Sequence, residues 1–259
     1  METTIYYFTG TGNSLKIAKD LCENITNCRL IRICKRNMNI NEVTSERIGF
    51  VFPVYYRGLP KMVANFIKNL DVNLGKYFFA VANFGSYAAL TFEQIDILLR
   101  SKGKSLSANF GVEMPGNMWF MYYPYPKEDF INRMNNQSRR TINIARMINN
   151  NYENNISVIK NRYKEEKMYE DFNPNNIDEN FWVSKKCIGC GICSNVCPAE
   201  NIEIIQAKPS WKHRCEQCLA CIHICPQTAI EFKKDSINKE RYKNIFVKTE
   251  DLFLSLVSG

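Results

Sequence analysis

The sequence predicts an α/β chain in two unequal parts: a parallel sheet covered by helices, then a small cysteine-dense module. Three observations predict it. Short apolar and aromatic runs alternate with helix-periodic segments over the first 150 residues. A loop rich in glycine and hydroxyls directly follows the first run. Near the C-terminus one cysteine run occurs twice, each cysteine of the second copy lying 28 positions after its counterpart. At 259 residues the chain exceeds one typical domain, and the cysteine module takes only about 50 of them.

Residues 5–8, 48–52, 77–84 and 105–112 read as strands apolar enough to be buried on both faces, and 29–33 makes a plausible second strand. Between the first two, Leu15, Ala18, Leu21, Cys22 and Ile25 share one helical face, and 59–70 and 90–99 repeat that periodicity. Alternation of this kind specifies a parallel sheet, because each parallel return needs a crossover. Residues 128–180 are polar and rich in asparagine and lysine. Their first half, through Phe130, Ile131, Met134, Ile142, Ala145 and Ile148, predicts the last helix of the first domain. Ile156, Ile159 and Tyr163 are spaced for a bridging helix, with a disordered linker as the competing reading. Residues 233–259 are a basic stretch and an apolar tail (Phe253, Leu254, Leu256) expected to pack back. The division is therefore 1–150, 151–183, 184–232 and 233–259.

Ligands of such sheets bind beyond the carboxyl ends of the strands. The first loop there is Thr9, Gly10, Thr11, Gly12, Asn13 and Ser14, whose glycines admit close backbone approach and whose hydroxyls and helix-start amides suit a phosphate. It lacks the third glycine of a dinucleotide fingerprint and the Gly-Lys-Ser/Thr of a Walker loop. An ordinary helix-capping turn is the alternative. Pro53, Val54, Tyr55, Tyr56, Arg57 and Gly58 follow the third strand, and Asn83, Phe84, Gly85, Ser86 and Tyr87 follow the fourth. An aromatic segment at 118–125 follows the fifth. Each aromatic alone reads as packing, but three such loops beside a phosphate loop suit a flat ring.

The doubled run is CIGCGICSNVCP at 187–198 and CEQCLACIHICP at 215–226, spaced C-x2-C-x2-C-x3-C-P in both copies. This run holds a pair of [4Fe–4S] clusters, the fourth cysteine of each copy serving the other cluster. Cys187, Cys190, Cys193 and Cys225 are thus expected to hold one cluster, and Cys215, Cys218, Cys221 and Cys197 the other. Three cysteines within seven residues overfill a zinc ion, and disulfides need an oxidising compartment. Such clusters move single electrons. Cys22, Cys28 and Cys34 stand six residues apart, a spacing that suits neither a metal nor a redox pair, and read as buried structural thiols.

No signal peptide precedes the first strand, and the apolar runs are too short to span a bilayer, so a cytoplasmic protein is expected. The formal charge is +8. Cluster thiolates and cores, together with a phosphate at the first loop, bring it to roughly +2, which weakens a nucleic-acid reading and leaves enough to steer an acidic redox partner. The two histidines are His213 and His223; His223, between two expected ligands, is expected at the surface near a cluster. No nucleophile–base set or paired carboxylates stand out, so any catalysis falls to cofactors.

FTGTGNS after the first strand resembles the phosphate loop of flavodoxins, and PVYYRG and NFGSY fall where flavodoxins hold the isoalloxazine. With the doubled cysteine run, MPGN at 114–117 and the approach to KKCIGCG, the chain resembles the flavodoxin–ferredoxin fusion proteins of anaerobic bacteria and archaea. The resemblance implies a flavodoxin-like five-stranded sheet of order 2-1-3-4-5, a small α+β two-cluster ferredoxin-like domain, FMN and two [4Fe–4S] clusters. It implies Thr9, Thr11, Gly12, Asn13 and Ser14 at the phosphate, with Tyr55 or Tyr56 and Phe84 or Tyr87 flanking the ring. Flavodoxins surround FMN with acidic residues. Here 53–59 offers Arg57 and no acid, so Arg57 is expected either to favour reduced flavin or to point into solvent. The expected role is electron exchange between clusters and flavin, to or from a redox protein or small-molecule partner. The alternative is an FMN-dependent reductase with a built-in electron donor, whose pocket 119–125 would line.

Overall fold

The computed structural model describes residues 1–39, 44–118, 127–157, 159 and 161–254. Its first part runs β1 (Thr3–Tyr7), α1 (Asn13–Asn24), β2 (Cys28–Arg32), β3 (Arg47–Pro53), α2 (Lys61–Asn69), β4 (Tyr77–Phe84), α3 (Thr91–Arg100), β5 (Ala108–Glu113) and α4 (Lys127–Asn149). The strands form one parallel sheet in the order β2-β1-β3-β4-β5. This is the flavodoxin-like order, which reverses direction between β1 and β3.

Every residue of β1 is buried, and β3 and β4 are buried along all but their last residue, because helices cover the sheet on both faces. The helices pair as α1 with α4 and α2 with α3. Tyr6 of β1 stacks on Phe50 of β3 at 6.1 Å and tilts against Phe66 of α2 at 4.9 Å, joining sheet to helix. Gly49 of β3 lies opposite Phe79 of β4, and a Cβ at Gly49 would stand 2.1 Å from that ring. The glycine makes room for a buried phenylalanine.

The second part holds α5 (Arg162–Glu170), β6 (Phe181–Val183), α6 (Ile192–Asn195), β7 (Ile202–Ile205), β8 (Lys208–Trp211), α7 (Ala220–Ile224) and β9 (Ile230–Phe232). Antiparallel ladders join β6 to β9 and β7 to β8. The 28-residue repeat survives in the backbone. Gly189 and Gln217 are both left-handed (φ 68° and 51°), as are Gly191 and Leu219 (75° and 61°) and Glu200 and Thr228 (48° and 46°). The second copy holds side chains in conformations that favour glycine, so cluster-loop geometry overrides local preference there.

Beyond β9 the chain straps across both parts. Asn244 N–H donates to Thr11 O at 2.9 Å, and Leu254 N–H donates to Asn195 O at 2.8 Å. Tyr242, Val247 and Leu252 are buried side chains of the strap. Arg32 of β2 donates to Leu252 O at 2.7 Å from its inner side.

Two expectations are corrected. Cys22 and Cys28 are not separate thiols: they form a disulfide with Cα atoms 5.2 Å apart. The chain leaves α1 at Asn24 and turns at Asn27 (φ 52°) into β2, which returns residue 28 to the end of the helix. Cys34 is free and buried. Ile156 and Ile159 do not lie on a helix, because α4 ends at Asn149 and α5 begins at Arg162. The asparagines between compete for backbone partners: Asn154 accepts from Asn109 N–H at 2.9 Å and donates to Asn109 O at 3.0 Å along the open edge of β5. Tyr163 is on α5 and faces solvent.

Gly49→Ala should force Phe79 from its site and cost about 1–3 kcal/mol. A fall of several degrees in the melting midpoint, with an unchanged far-ultraviolet circular dichroism spectrum before melting, checks it.

Candidate functional site

The carboxyl ends of β1, β3, β4 and β5 open into one cavity of about 600 Å³, within the roughly 300–1,000 Å³ of small-molecule sites. Thr9, Gly10, Thr11, Asn13 and Ser14 line one end. There the start of α1 directs backbone N–H groups and the positive end of its dipole. Thr9 Oγ1 accepts from Gly12 N–H at 3.1 Å and Ser14 Oγ from Asn83 Nδ2 at 2.7 Å. With the acceptor role taken by the protein, each hydroxyl keeps its own proton to donate, the polarity an anion needs.

At the other end are Pro53, Tyr55, Tyr56 and Arg57 on one loop, and Asn83, Phe84, Gly85 and Tyr87 on another. Tyr55 and Gly58 exchange backbone hydrogen bonds at 2.8–2.9 Å, making a tight turn with Tyr56 and Arg57 left-handed at φ 44° and 72°. Gly12 and Gly58 stand behind the cavity wall. A Cβ at Gly58 would meet the Tyr169 ring at 2.4 Å, and Gly12 (φ 102°) packs on Asn244 and Val247 of the strap. Tyr56 stacks on Phe172 at 4.3 Å. Residues 119–125 lie outside the described residues.

Arg57 is neither aimed freely into solvent nor without an acid. Its guanidinium lies 4.8 Å over the Tyr87 ring and 3.6 Å from Oε2 of buried Glu165 on α5, to which Tyr87 also donates at 2.8 Å. The acid missing from 53–59 comes from a hundred residues away, so the charge of Arg57 is committed to Glu165.

The cluster-run cysteines gather in two rings. Cys187, Cys190, Cys193 and Cys225 surround one small cavity walled by Ile188, Ile204, Pro209 and Ile230. Cys197, Cys215, Cys218 and Cys221 surround another, walled by Phe181, Ile202, Trp211 and Leu219. Each ring takes one cysteine from the other copy. Among the described residues no three His, Cys, Asp or Glu converge on a point fit for a single metal ion. Burial, then the neighbouring charges of Cys225, Cys190 and Cys187, pushes the Cys193 thiol up to about 11. Burial, then Cys197, raises Cys218 to about 12. Four thiolates around one cavity would repel one another, and a cationic iron–sulfur core would turn that repulsion into attraction. Backbone N–H groups of Gln217, Asn201 and Ala229 already donate to sulfurs of Cys215, Cys197 and Cys225 at 3.2–3.3 Å.

The second ring abuts the phosphate end of the cavity. A Cβ at Gly10 would stand 2.3 Å from Cys218 O. Asn117 Nδ2 donates to Cys218 O at 3.0 Å, and Gln217 Nε2 donates to Tyr56 Oη at 3.1 Å. Glu216 accepts from Met62 N–H at 3.0 Å, capping α2 from the other half of the chain, and burial pushes its carboxyl up to about 7. Burial, then the charges of Cys218, Glu216 and Cys215, holds the Tyr55 phenol well above its usual range. His223 is buried here, not at the surface. Burial pushes its imidazole down to about 4; Nδ1 accepts from Tyr242 N–H at 3.0 Å, so Nε2–H donates to Asn117 O at 2.7 Å.

A family model described as a 4Fe-4S dicluster domain matches residues 186–230. Joined to a parallel sheet of order 2-1-3-4-5, that match decides the architecture. The chain joins a flavodoxin-like sheet to a segment that a 4Fe-4S dicluster model matches. Over 48 residues the chain is 42% identical to a component of the ion-translocating oxidoreductase complex of Methanosarcina acetivorans, a stretch that is 18% of each chain. Among solved structures, a Fusobacterium nucleatum flavodoxin bound to flavin mononucleotide is similar at 15% identity and TM-score 0.37, over 59% of this chain and 97% of that one. An FMN-dependent NADH-azoreductase from Bacillus anthracis is similar at 10% identity and TM-score 0.38, over 57% and 100%. Rubredoxin oxygen:oxidoreductase from Desulfovibrio gigas is similar at 15% and 0.36, over 56% and 36%. The fold assignment rests on the chain's own sheet order. Among its described residues no helix is long and apolar enough to cross a membrane.

Asn13, expected at the phosphate, has its side chain bonded elsewhere. Oδ1 accepts from Tyr242 Oη and, at 3.1 Å, from Asn244 Nδ2, while Nδ2 donates to Pro115 O at 2.9 Å. Sequence reasoning missed Glu165, Phe172 and the Tyr242–Asn244 strap, which belong to no strand-end loop or motif, and Gln217, a non-ligand position inside the second cysteine run. Asn13→Ala should leave these buried partners unpaired, cost about 1–3 kcal/mol and loosen the strap. Faster tryptic cleavage at 239–248 checks it.

Proposed function

We propose that this chain is a flavodoxin–ferredoxin fusion that carries electrons between two [4Fe–4S] clusters and FMN, exchanging them with a redox protein or small-molecule partner in the cytoplasm. When bound, the clusters supply one-electron exchange and the flavin one- or two-electron exchange. In this reading Cys187, Cys190, Cys193 and Cys225 hold one cluster, and Cys215, Cys218, Cys221 and Cys197 the other. Thr9, Thr11 and Ser14, with the start of α1, bind the phosphate. Tyr55, Tyr56, Phe84 and Tyr87 bracket the ring, and Asn83 orients Ser14. The dicluster match supports the clusters, and the size and polarity of the cavity support the flavin.

One observation carries the reading. The second cysteine ring and the phosphate loop touch through backbone, with Gly10 against the Cys218 carbonyl and Asn117 clamping that carbonyl from the side. A cluster domain merely tethered to a flavin domain needs no such junction. Bringing two redox groups together does.

Anaerobically purified protein should contain about eight iron and eight sulfide, as two [4Fe–4S] clusters require, together with one FMN. Protein without iron, sulfide and flavin overturns the reading. Gly10→Ala should keep all three contents but open the junction. Stopped-flow reduction of flavin by pre-reduced clusters should then slow about tenfold or more, equivalent to about 1.4 kcal/mol, whereas direct chemical reduction of the flavin should not change.

A further inference from the structure

The two cysteine rings differ in access. All four cysteines of the second ring are buried at the junction. In the first, Cys190 is exposed and Cys187 and Cys225 are half-buried. Around that opening the surface is apolar at its centre and basic at its rim. Ile188, in the wall of that opening, is 65% exposed. Lys185 and Lys186 immediately precede Cys187, and Lys208 follows Ala207, whose carbonyl lies 3.9 Å from Cys187 Sγ. All three lysines are exposed, and no Asp or Glu occurs at 184–195, 204–209 or 225–230.

We propose that this face, Ile188 ringed by Lys185, Lys186 and Lys208, is the docking surface for a small acidic redox protein, the proposed function taken as given. Docked there, the partner loses or gains one electron and this protein gains or loses it; no bond or proton is transferred. The charge argues for the occupant. A basic rim attracts an acidic carrier over a range of about one Debye length, roughly 8–10 Å at physiological salt, and orients it before contact. The exposed isoleucine supplies the desolvated centre that a transient redox interface needs. A partner at the opposite end of the module would meet the buried second ring through the sheet domain.

The test uses anaerobically purified full-length holoprotein whose iron and sulfide have been quantified, and an oxidised acidic bacterial ferredoxin as probe. Calorimetric titration at low and at physiological ionic strength reads the affinity. Wild-type binding should weaken as salt rises. The Lys185→Glu/Lys186→Glu/Lys208→Glu variant should bind about tenfold more weakly, with a flatter salt dependence. Ile188→Ala should weaken binding several-fold while keeping the wild-type salt slope. Lys164→Glu/Lys167→Glu, on α5 beside the cavity, should bind as wild type does. With clusters intact, unchanged affinity in the triple variant, or a larger loss in the α5 variant, overturns the docking surface alone. So does lysine-dependent binding to phosphatidylserine vesicles without binding to the ferredoxin. Protein lacking iron and sulfide overturns the functional reading and this surface with it.

Discussion

The carbonyl of Cys218 rests where a side chain at position 10 would be, and most of the site depends on that contact. Without a Cβ, Gly10 lets the loop after β1 and the second cysteine run approach to backbone distance. Gly12 does the same on the strap side, at a φ of 102° that glycine adopts without strain. Around this junction Asn117, His223, Tyr242, Asn244 and Asn13 form a buried hydrogen-bonded network whose members come from four separate stretches of chain. Buried polar groups of this kind are costly unless satisfied, and once satisfied they permit one arrangement only. The junction is therefore specific as well as close.

Electrostatics divides the molecule along the same line. Burial pushes up all four thiols of the second ring, and an iron–sulfur core is the natural counter-charge. The first ring meets solvent through Cys190, and the second meets the cavity wall through Tyr55 and Gln217. One ring thus faces outward and one inward, an asymmetry absent from the doubled sequence motif itself. The junction with the sheet domain creates it.

The cavity is also shaped by chain remote from the strand-end loops. Glu165 neutralises Arg57, Phe172 covers one face of Tyr56, and Tyr169 fills the space that Gly58 leaves open. All three come from the segment between α4 and β6, whose polar, asparagine-rich composition reads as connector. Glu165 and Tyr169 lie on α5, and the stretch before it runs along β5 through Asn154. The apolar spacing of Ile156 and Ile159 suggested a helix because spacing carries no information about competing side-chain hydrogen bonds.

What the sequence determined by itself was whatever local chemistry and periodicity encode. Five strands, their crossover helices, the hydroxyl-rich loop opening α1 and the doubled cysteine spacing are each written in contiguous residues. Sheet order and the crossing of Cys197 and Cys225 between rings followed once those patterns were joined to a known architecture. Only tertiary structure decided the pairing of Cys22 with Cys28, the burial of His223, the partner of Arg57 and the diversion of Asn13 to the strap. Each depends on segments far apart in sequence or turned back on themselves meeting in space, and burial, ion pairing and hydrogen bonding act on that distance rather than on order along the chain.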